Sequence, residues 1–411
     1  MLVEFSVQNF KSIKDLQTVS FAAAPIASKD KNLDEQNVFK ASEKEMLLKT
    51  IGVYGANGSG KSNLIKALQA MMTFVKESFN NDKLGSEIVM PFAYDAESVK
   101  QPTFFQIVFI LSDKKYRYGF EIFGSQVVSE WLFGTAHKNE VPYFTREKNK
   151  IDINKSQFME GLGAEKKTRS TTLFLNVADA LNGQIAERIR TYLTDTIIVS
   201  SNDLPFRALS LAYLDDAVHK KDMLTLLNNA DLGILDLTKV EVADNLPEHH
   251  KKALGNGLLI SRKWDKDNGE GVLLLPFDIT ESEGTKKFFN YSSVLLMALQ
   301  QGKVLILDEF DAKFHSLLSK KIIQLFHSEA NKTNAQLLFV THDTNLLDTA
   351  LLRRDQIYFA EKTQAGASSF YSLSDFKGIR NDASFEKDYI KGKYGAVPFL
   401  GNFQHLVEYG F

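Results

Sequence analysis

A glycine-rich loop constrains this sequence more than any other feature. Residues 55–62 read Gly-Ala-Asn-Gly-Ser-Gly-Lys-Ser, between the short apolar run Thr50–Tyr54 and apolar residues at helical spacing over 63–75. A phosphate chain requires several inward-pointing backbone N–H groups, which glycine allows because it adopts positive φ, and a helix N-terminus that favours anions. The sequence therefore predicts a strand, a phosphate-binding loop and a helix in immediate succession.

The polar residues of this loop predict its ligands. Lys61 would place its ammonium group on the β- and γ-phosphates of a nucleotide, and Ser62 would offer its hydroxyl group to Mg²⁺. A purely structural glycine turn is the alternative, but the flanking strand and helix provide the context that a phosphate loop requires. We therefore predict that the chain binds ATP with Mg²⁺, through Asn57, Gly58, Ser59, Gly60, Lys61, Ser62 and Asn63.

A second motif, far along the chain, supplies two acids. The apolar run Val304–Leu307 predicts a strand buried on both faces, which delivers Asp308 and Glu309 to its carboxyl end, where open parallel sheets bind ligands. Alone, such a run is as typical of a helix start as of a metal site, but a preceding phosphate loop favours the metal site. Asp308 would then hold Mg²⁺ through water, and Glu309 would polarise the attacking water.

A third motif ends in a histidine. Gln336–Thr341 predicts another buried strand, one helix and one strand after Asp308. A histidine at a strand end is commonly structural, but this position favours a role in which His342 contacts the γ-phosphate and senses its loss. The predicted catalytic residues are therefore Lys61, Glu309 and His342.

The remaining pattern predicts an α/β fold with an antiparallel β lobe. Alternating apolar residues over 104–111, 116–123 and 127–133 indicate a meander of strands separated by polar turns. No stretch sustains the heptads that a coiled coil needs. The other predicted elements are strand, turn and strand over 1–21, a loop over 28–44, helices over 173–193, 208–229, 283–301 and 317–330, and strands over 235–243, 257–263 and 271–276.

The spacing of the motifs predicts the domain organisation. The glycine loop and the two later motifs stand towards opposite ends of the chain, so the middle is expected to be an insertion into one ATPase core. We assign residues 1–165 to the N-terminal half of that core with the β lobe, residues 166–256 to a small, mainly helical insertion, and residues 257–411 to the C-terminal half.

The order of these motifs resembles that of the ATP-binding-cassette (ABC-type) P-loop ATPases. Two details are similar to the RecF and SMC branch, namely the run Gly55–Asn63 and the earlier Asn9-Phe10-Lys11-Ser12. This resemblance adds Lys11 and Ser12 to the expected nucleotide-binding residues. It covers nearly the whole chain, although the motifs themselves are specific only to the superfamily.

Three further motifs resemble the RloA and AbiL-type ATPases, which are the ATP-binding halves of two-gene anti-phage systems that include PARIS. They are Glu309-Phe310-Asp311 with His315, the run Arg353–Ile357, and the tail Tyr389–Pro398. The resemblance implies an ATPase switch in abortive infection that controls an effector, a nuclease or toxin from a neighbouring gene, and answers a phage-derived trigger. It also implies a homodimer or a higher assembly of dimers.

The cassette signature Leu-Ser-Gly-Gly-Gln has its closest match in Glu281–Thr285. Ser282 suits the N-cap of the helix that follows, and Gly284 allows close backbone approach. The resemblance implies that both residues complete the site of a second subunit, with ATP sandwiched between two chains; a plain helix cap is the alternative. Glu283 stands where a glycine is usual, so its charge would repel phosphate unless it points away. For the Q-loop glutamine, Gln101 and Gln106 both remain open.

Composition bounds the other function classes. A formal net charge of -2 gives no general attraction to nucleic acid or membrane, and the absence of cysteine excludes disulfides and thiolate metal sites. No apolar run is long enough for a membrane span, so we expect a soluble cytoplasmic protein. A RecF-like DNA-repair ATPase acting on DNA is the main alternative function. The nucleotide-binding subunit of a transporter is disfavoured by the Asn9–Ser12 opening and by the long gap between Lys61 and Asp308.

Overall fold

Two large sheets, one mainly parallel and one antiparallel, organise the chain. The computed structural model describes residues 1–136, 139–200, 204–240, 257–266, 269–379 and 383–398. Over these ranges the parallel and antiparallel strands lie in separate sheets, with helices packed against them. This arrangement confirms the predicted α/β class and the predicted antiparallel lobe. Strands and helices are numbered below in chain order.

The parallel sheet carries the sequence motifs. In the described residues its order is β11-β15-β16-β5-β17-β18, with the last strand antiparallel to its neighbour. The strands of this order are Ile197–Ser200, Val304–Leu307, Gln336–Val340, Thr50–Tyr54, Ile357–Lys362 and Ser368–Ser372. Every residue of β5, β15 and β16 is buried, as expected for central strands covered on both faces. The three motifs therefore leave the same edge of one sheet.

The antiparallel sheet has the order β10-β9-β8-β7-β6-β1-β2 within the described part of the chain. Its strands are Lys150–Ile153, Asn139–Glu147, Gln126–Ala136, Lys114–Phe123, Thr103–Leu111, Leu2–Gln8 and Gln17–Ser20. Helix α2, Lys61–Glu77, lies between the two sheets, because its Leu64 shares a hydrophobic cluster with Phe105 of β6 and Ile306 of β15. The glycine loop at the start of α2 is thereby anchored by both sheets.

Two helices cover the opposite face of the parallel sheet. Helices α9, Glu283–Gln301, and α10, Ser316–His327, share a cluster with Leu305 and Leu307 of β15, whereas Ile306 points into the cluster that contains α2. This division follows from the alternation of side chains along a strand. The remaining helices are α1 Lys31–Asn37, α3 Leu84–Ile88, α4 Phe174–Ala180, α5 Gln184–Thr191, α6 Leu204–Tyr213, α7 Ala217–Asn229, α8 Phe277–Thr280 and α11 Phe385–Ile390.

The segment over 166–256, which was predicted to be a mainly helical insertion, contains helices α4 to α7 in its described part. The single helix expected over 173–193 is two helices, α4 and α5, because Asn182 adopts φ 67° and Gly183 caps the second helix. The strand β11, within the same predicted insertion, is an edge strand of the parallel core sheet. A small sheet follows with strands β12 Asp236–Lys239, β13 Leu258–Lys266 and β14 Gly269–Pro276. The predicted boundary at 256 lies outside the described residues.

The predicted loop over 28–44 was wrong. It contains helix α1 and strand β3, Val38–Lys40, which pairs with β4, Met46–Leu48. The carboxylate of Asp30 accepts a hydrogen bond from the Asn32 backbone, which is the N-cap that starts the helix. No helix among the described ranges is long and apolar enough to cross a membrane.

Candidate functional site

The glycine loop closes tightly over a serine pair. Gly58 and Gly60 have φ values of 79° and 103°, in the left-handed range that favours glycine. A Cβ atom at Gly60 would lie 2.1 Å from the Ser368 hydroxyl oxygen and 2.8 Å from that of Ser12, whereas one at Gly58 would meet open space. Gly60 is therefore required both by its backbone angle and by its neighbours. Asn57 and Gly58, at the outer part of the loop, are exposed.

The ammonium group of Lys61 lies inside the loop. Its Nζ donates to the carbonyl oxygens of Gly55 at 2.7 Å and of Ala56 at 2.9 Å, and the side chain is almost fully buried. Burial lowers the pKa of Lys61 to about 8, although the carboxylates of Asp308 and Glu309 oppose the fall. An ammonium group beside the backbone N–H groups of a glycine loop and a helix N-terminus is suited to bind an anion.

Asp308 and Ser62 form a donor set for a divalent cation. Burial raises the pKa of Asp308, and a hydrogen bond with the Ser62 side chain opposes this rise. Among the described residues, the Asp308 Oδ1 atom is buried and has no hydrogen-bond partner. A buried polar atom of this kind calls for a ligand, and carboxylate and hydroxyl oxygens are ligands that Mg²⁺ prefers. The residues present therefore fit the predicted magnesium ion.

Glu309 has an unusual backbone conformation. Its φ is 45°, a left-handed value that costs a residue with a Cβ atom about 1 kcal/mol or more. The Nζ atom of Lys287, on the first turns of α9, donates to the Glu309 carbonyl oxygen at 2.7 Å. The side chain of Glu309 is exposed, so it can meet water. Sequence reasoning found Glu309 but not the contact from Lys287.

His342 belongs to the same cluster of charges. Burial lowers its pKa, the charge of Lys61 lowers it further, and the carboxylates of Asp311, Glu309 and Asp308 oppose the fall. These electrostatic interactions require His342 to lie near the glycine loop and both acids of the second motif. The backbone N–H of the preceding Thr341 donates to Val53 of β5 at 3.2 Å, which fixes the strand end beside the loop. The structure thus brings all three motifs together.

Ser12 lies against the glycine loop, and Lys11 precedes it in the chain. The Ser12 hydroxyl oxygen accepts from the Asn63 side chain at 2.7 Å and from the Ser368 hydroxyl at 2.8 Å. Ser12 therefore joins the start of α2 to strand β18. Lys11 adopts φ 52°, and burial followed by the nearby charge of Lys66 on α2 lowers its pKa.

The predicted signature residues lie at the start of α9. The Ser282 hydroxyl oxygen accepts from the Thr285 backbone at 3.1 Å, so the predicted N-cap is present. A Cβ atom at Gly284 would lie 2.6 Å from the Lys313 carbonyl oxygen, so Gly284 packs against the segment that follows Glu309 in the same chain. The carboxylate of Glu283 pairs with Lys286 at 3.0 Å and Lys313 at 3.1 Å, which lowers its pKa. Its charge is thereby partly offset.

The two glutamines considered for a Q-loop have other contacts. The Gln106 side-chain oxygen accepts from Arg117 and Trp131, both at 3.2 Å, on the antiparallel sheet. Gln101 is exposed, and its carbonyl oxygen accepts from Asn9. Neither glutamine forms a hydrogen bond with the glycine loop in the described part of the chain.

Two further contacts of the site were not foreseen from the sequence. The backbone N–H of Asp308 donates to the Ser200 carbonyl oxygen at 3.1 Å, at the end of strand β11. The backbone N–H of Ala56 donates to the Ala396 carbonyl oxygen at 2.9 Å, in the tail. The only sequence signal for the second contact is the spacing of Gly392 and Gly395, which indicates a tight turn without naming its partner.

A family model matches most of the chain. Residues 51–348 match the AAA_21 family, whose description reads "AAA domain, putative AbiEii toxin, Type IV TA system". The matched range contains the glycine loop, both acids of the second motif and His342. No curated protein matches the chain.

Several solved structures show distant likeness. The chain is similar to the SMC head bound to the C-winged helix domain of ScpA, with 14% identity, a coverage of 90% of this chain and 97% of that chain, and a TM-score of 0.43. The SMC head domain from Thermotoga maritima gives 12% identity, 90% and 98% coverage and a TM-score of 0.41. The SMC head with an extended coiled coil bound to the C-terminal domain of ScpA, from Pyrococcus furiosus, gives 13% identity, a coverage of 96% of this chain and 98% of that chain, and a TM-score of 0.39.

Proposed function

This chain belongs to the AAA_21 family of AAA-domain proteins, and from that premise we propose that it hydrolyses ATP as the switch subunit of an anti-phage system. One observation carries the proposal. The buried ammonium of Lys61 lies within a loop of positive-φ glycines, and the partnerless Asp308 Oδ1 and the Ser62 hydroxyl lie close to it in the same site. This combination of cation, free amides and carboxylate suits a nucleotide triphosphate with a divalent ion.

In the proposed site, the chain binds phosphates mainly through its backbone. The N–H groups of Ser59 and Asn63 bond the carbonyl oxygens of Ala56 and Gly60, and the other N–H groups over 57–62 would face the phosphate chain. Lys61 would leave the loop carbonyls to meet the β- and γ-phosphates. Ser62 and Asp308 would hold Mg²⁺, which when bound offsets the charge of the phosphate oxygens. Lys11 and Ser12 would complete the nucleotide-binding residues of this site.

Hydrolysis on this proposal needs no covalent intermediate. Glu309 orients and polarises a water molecule for attack on the γ-phosphate, while Lys61 and the loop amides stabilise the charge that develops. The lowered pKa of His342 keeps its ring neutral near pH 7, so that one ring nitrogen can donate and the other accept. His342 would thereby report whether the γ-phosphate is present.

We also propose that the site is completed by a second copy of the chain, in a head-to-tail homodimer or a higher assembly of dimers. Ser282 is exposed at the N-terminus of a 19-residue helix, whose free N–H groups favour an anion. The two lysines that pair with Glu283 reduce the repulsion that its carboxylate would exert on phosphate. Ser282 and Gly284 would then face the γ-phosphate of the partner copy.

The anti-phage role rests on two supports. The family description names the AbiEii toxin and a type IV toxin–antitoxin system, and the motifs at 309–315, 353–357 and 389–398 resemble the RloA and AbiL-type ATPases. On this proposal ATP binding or turnover controls a nuclease or toxin from a neighbouring gene in abortive infection, and a phage-derived component is the trigger.

Two substitutions with a matched control test the ATPase. Lys61→Ala removes the buried cation and should abolish ATP binding, whereas Glu309→Gln should bind ATP but fail to hydrolyse it, because the metal-binding Asp308 remains. Lys76→Ala, at an exposed position near the end of the same helix, should behave as wild type. Nucleotide titration and phosphate release measure both steps. Wild-type turnover in Lys61→Ala would refute the site.

The partner proposal has its own test. Co-expression with the neighbouring gene should restrict phage growth, and Glu309→Gln should change that restriction. Tight, salt-dependent binding of duplex DNA with no effect of the neighbouring gene would instead favour a DNA-repair ATPase.

A further inference from the structure

The tail of the chain touches the glycine loop directly. After α11, the chain turns at Gly392 and Gly395 and presents the Ala396 carbonyl oxygen to the Ala56 backbone N–H at 2.9 Å. The same carbonyl oxygen accepts a buried hydrogen bond from the Tyr389 hydroxyl at 3.0 Å. Ala396 has φ 57°, an unfavourable value for a residue with a Cβ atom, so this turn is held in place by its contacts.

Stacked rings support this turn. Phe359 of β17 packs between Tyr389, with ring centroids 5.3 Å apart at 10°, and Tyr394, at 5.6 Å and 23°. In the parallel pairing of β17 with β5, Phe359 lies opposite Tyr54, the residue directly before the glycine loop. The tail and the loop therefore rest on the same pair of strands.

The hydrogen bond from Ala56 to Ala396, called the tether below, acts on the Ala56 N–H group, whereas the loop's own contacts act on the Ala56 carbonyl oxygen. The Ala56 carbonyl oxygen accepts from Lys61 and from the Ser59 backbone, both within the loop. Among the described residues, the Ala56 N–H bonds only the tail. When Lys61 moves to phosphate, one of the two contacts on the carbonyl is lost. The Ala396 contact then becomes a larger part of what fixes this arm of the loop.

We infer that Tyr389 and Ala396 are positioning residues for nucleotide binding, which hold the glycine loop in the shape that fits phosphate. The inference rests on the proposed function of the loop, but it assigns the tail motif a role that the ATPase motifs do not include. Glycine-rich loops lose much conformational freedom on binding, so a tether that fixes the loop beforehand raises affinity.

Two matched tyrosine variants test this role. Tyr389→Phe keeps the ring stacked on Phe359 but removes the hydroxyl that holds the Ala396 carbonyl. Tyr394→Phe also keeps its stacked ring, but it removes a hydroxyl that bonds Asp388 at 3.1 Å instead. Amide hydrogen exchange of the peptide over 55–60 and titration with an ATP analogue in Mg²⁺ provide the two readouts, and melting temperature monitors folding.

We expect Tyr389→Phe to speed exchange at the loop and to weaken ATP binding about fivefold, the factor that the loss of one typical hydrogen bond gives. In steady-state assays KM should rise while kcat changes little, and Tyr394→Phe should match wild type in both readouts. Equal exchange or equal affinity in the two variants would overturn the positioning role. If the wild-type chain bound no ATP, the proposed function would fail, and an unchanged exchange rate in Tyr389→Phe would overturn the tether independently.

Discussion

Lys287→Met should lower the proposed ATP turnover without weakening ATP binding. The ammonium of Lys287 donates to the Glu309 carbonyl oxygen at 2.7 Å, and the same Nζ atom lies 5.3 Å from the ring centroid of Tyr291 and 5.4 Å from that of Phe314. Methionine preserves most of the apolar stem and removes the donor. After the loss of that donor, the Ala312 backbone N–H still donates to the Glu309 carbonyl oxygen at 3.1 Å. Because Glu309 adopts φ 45°, the weaker hold should let its backbone relax in part towards a common conformation.

The size of the effect follows from this contact. A hydrogen bond from a charged donor at a partly exposed site contributes about 1 to 1.5 kcal/mol. If that free energy holds Glu309 in the conformation that orients water, its loss lowers kcat by about five- to tenfold. KM should change little, because none of the proposed phosphate ligands is altered.

A lysine after the end of α9 provides a matched control. Lys303 donates to the Asp195 carbonyl oxygen at 2.8 Å, so it bonds a backbone carbonyl as Lys287 does, but before β15 rather than at Glu309. Lys303→Met should therefore leave kcat within about twofold of wild type. Steady-state phosphate release at saturating ATP compares the two variants. Equal values of kcat for Lys287→Met and Lys303→Met would refute the claim that Lys287 holds Glu309.

Two further outcomes are expected. Burial lowers the pKa of Lys61 to about 8, and bound phosphate would raise this pKa again. ATP binding should therefore take up protons above pH 8, and it should weaken as the pH rises towards the ordinary lysine pKa of 10.5. Calorimetric titration at pH 8.5 in buffers of different ionisation enthalpy measures this uptake, and a finding of no uptake would refute the prediction. In the same pH window the unfolded chain binds more protons than the ligand-free folded chain, so this group makes the free energy of unfolding rise with pH. Ser282→Arg alone should bind ATP but not hydrolyse it, and mixing it with Lys61→Ala should restore partial activity, because one composite site of a mixed dimer then carries neither change. Mixed dimers without any activity would leave the shared site unsupported, and full activity of Ser282→Arg alone would exclude it.

Local signals in the sequence predicted some elements to the residue. Helix α9 runs over Glu283–Gln301 and β15 over Val304–Leu307, as predicted. Ser282 starts the helix by capping an N–H group, and Gly302 ends it with φ 67°. Each boundary is therefore determined by the residue directly next to the helix. The approach of the three motifs could be predicted for a similar reason, because each follows a buried run that suits a parallel strand.

Contacts between distant residues could not be predicted in this way. Strand β11 is only four residues long and follows a π-helical turn over Tyr192–Thr196, so periodicity did not separate it from the helices before it. The tether from Ala396 to Ala56 and the contact of Lys287 with Glu309 depend on how separate elements pack. The positive φ of Glu309 could not be predicted from its residue type, because glutamate rarely adopts that backbone conformation.

The hydrogen bond between Ser12 and Ser368 joins residues 356 positions apart. Contacts of such sequence separation form late in folding, because a long loop must close before any of its contacts contributes stability. During synthesis the glycine loop is made well before Asp308, His342 and Ser368, so the early segment waits for most of the chain to be translated. On the proposed function, a chain would therefore be able to bind ATP only after its N-terminal and C-terminal halves have met.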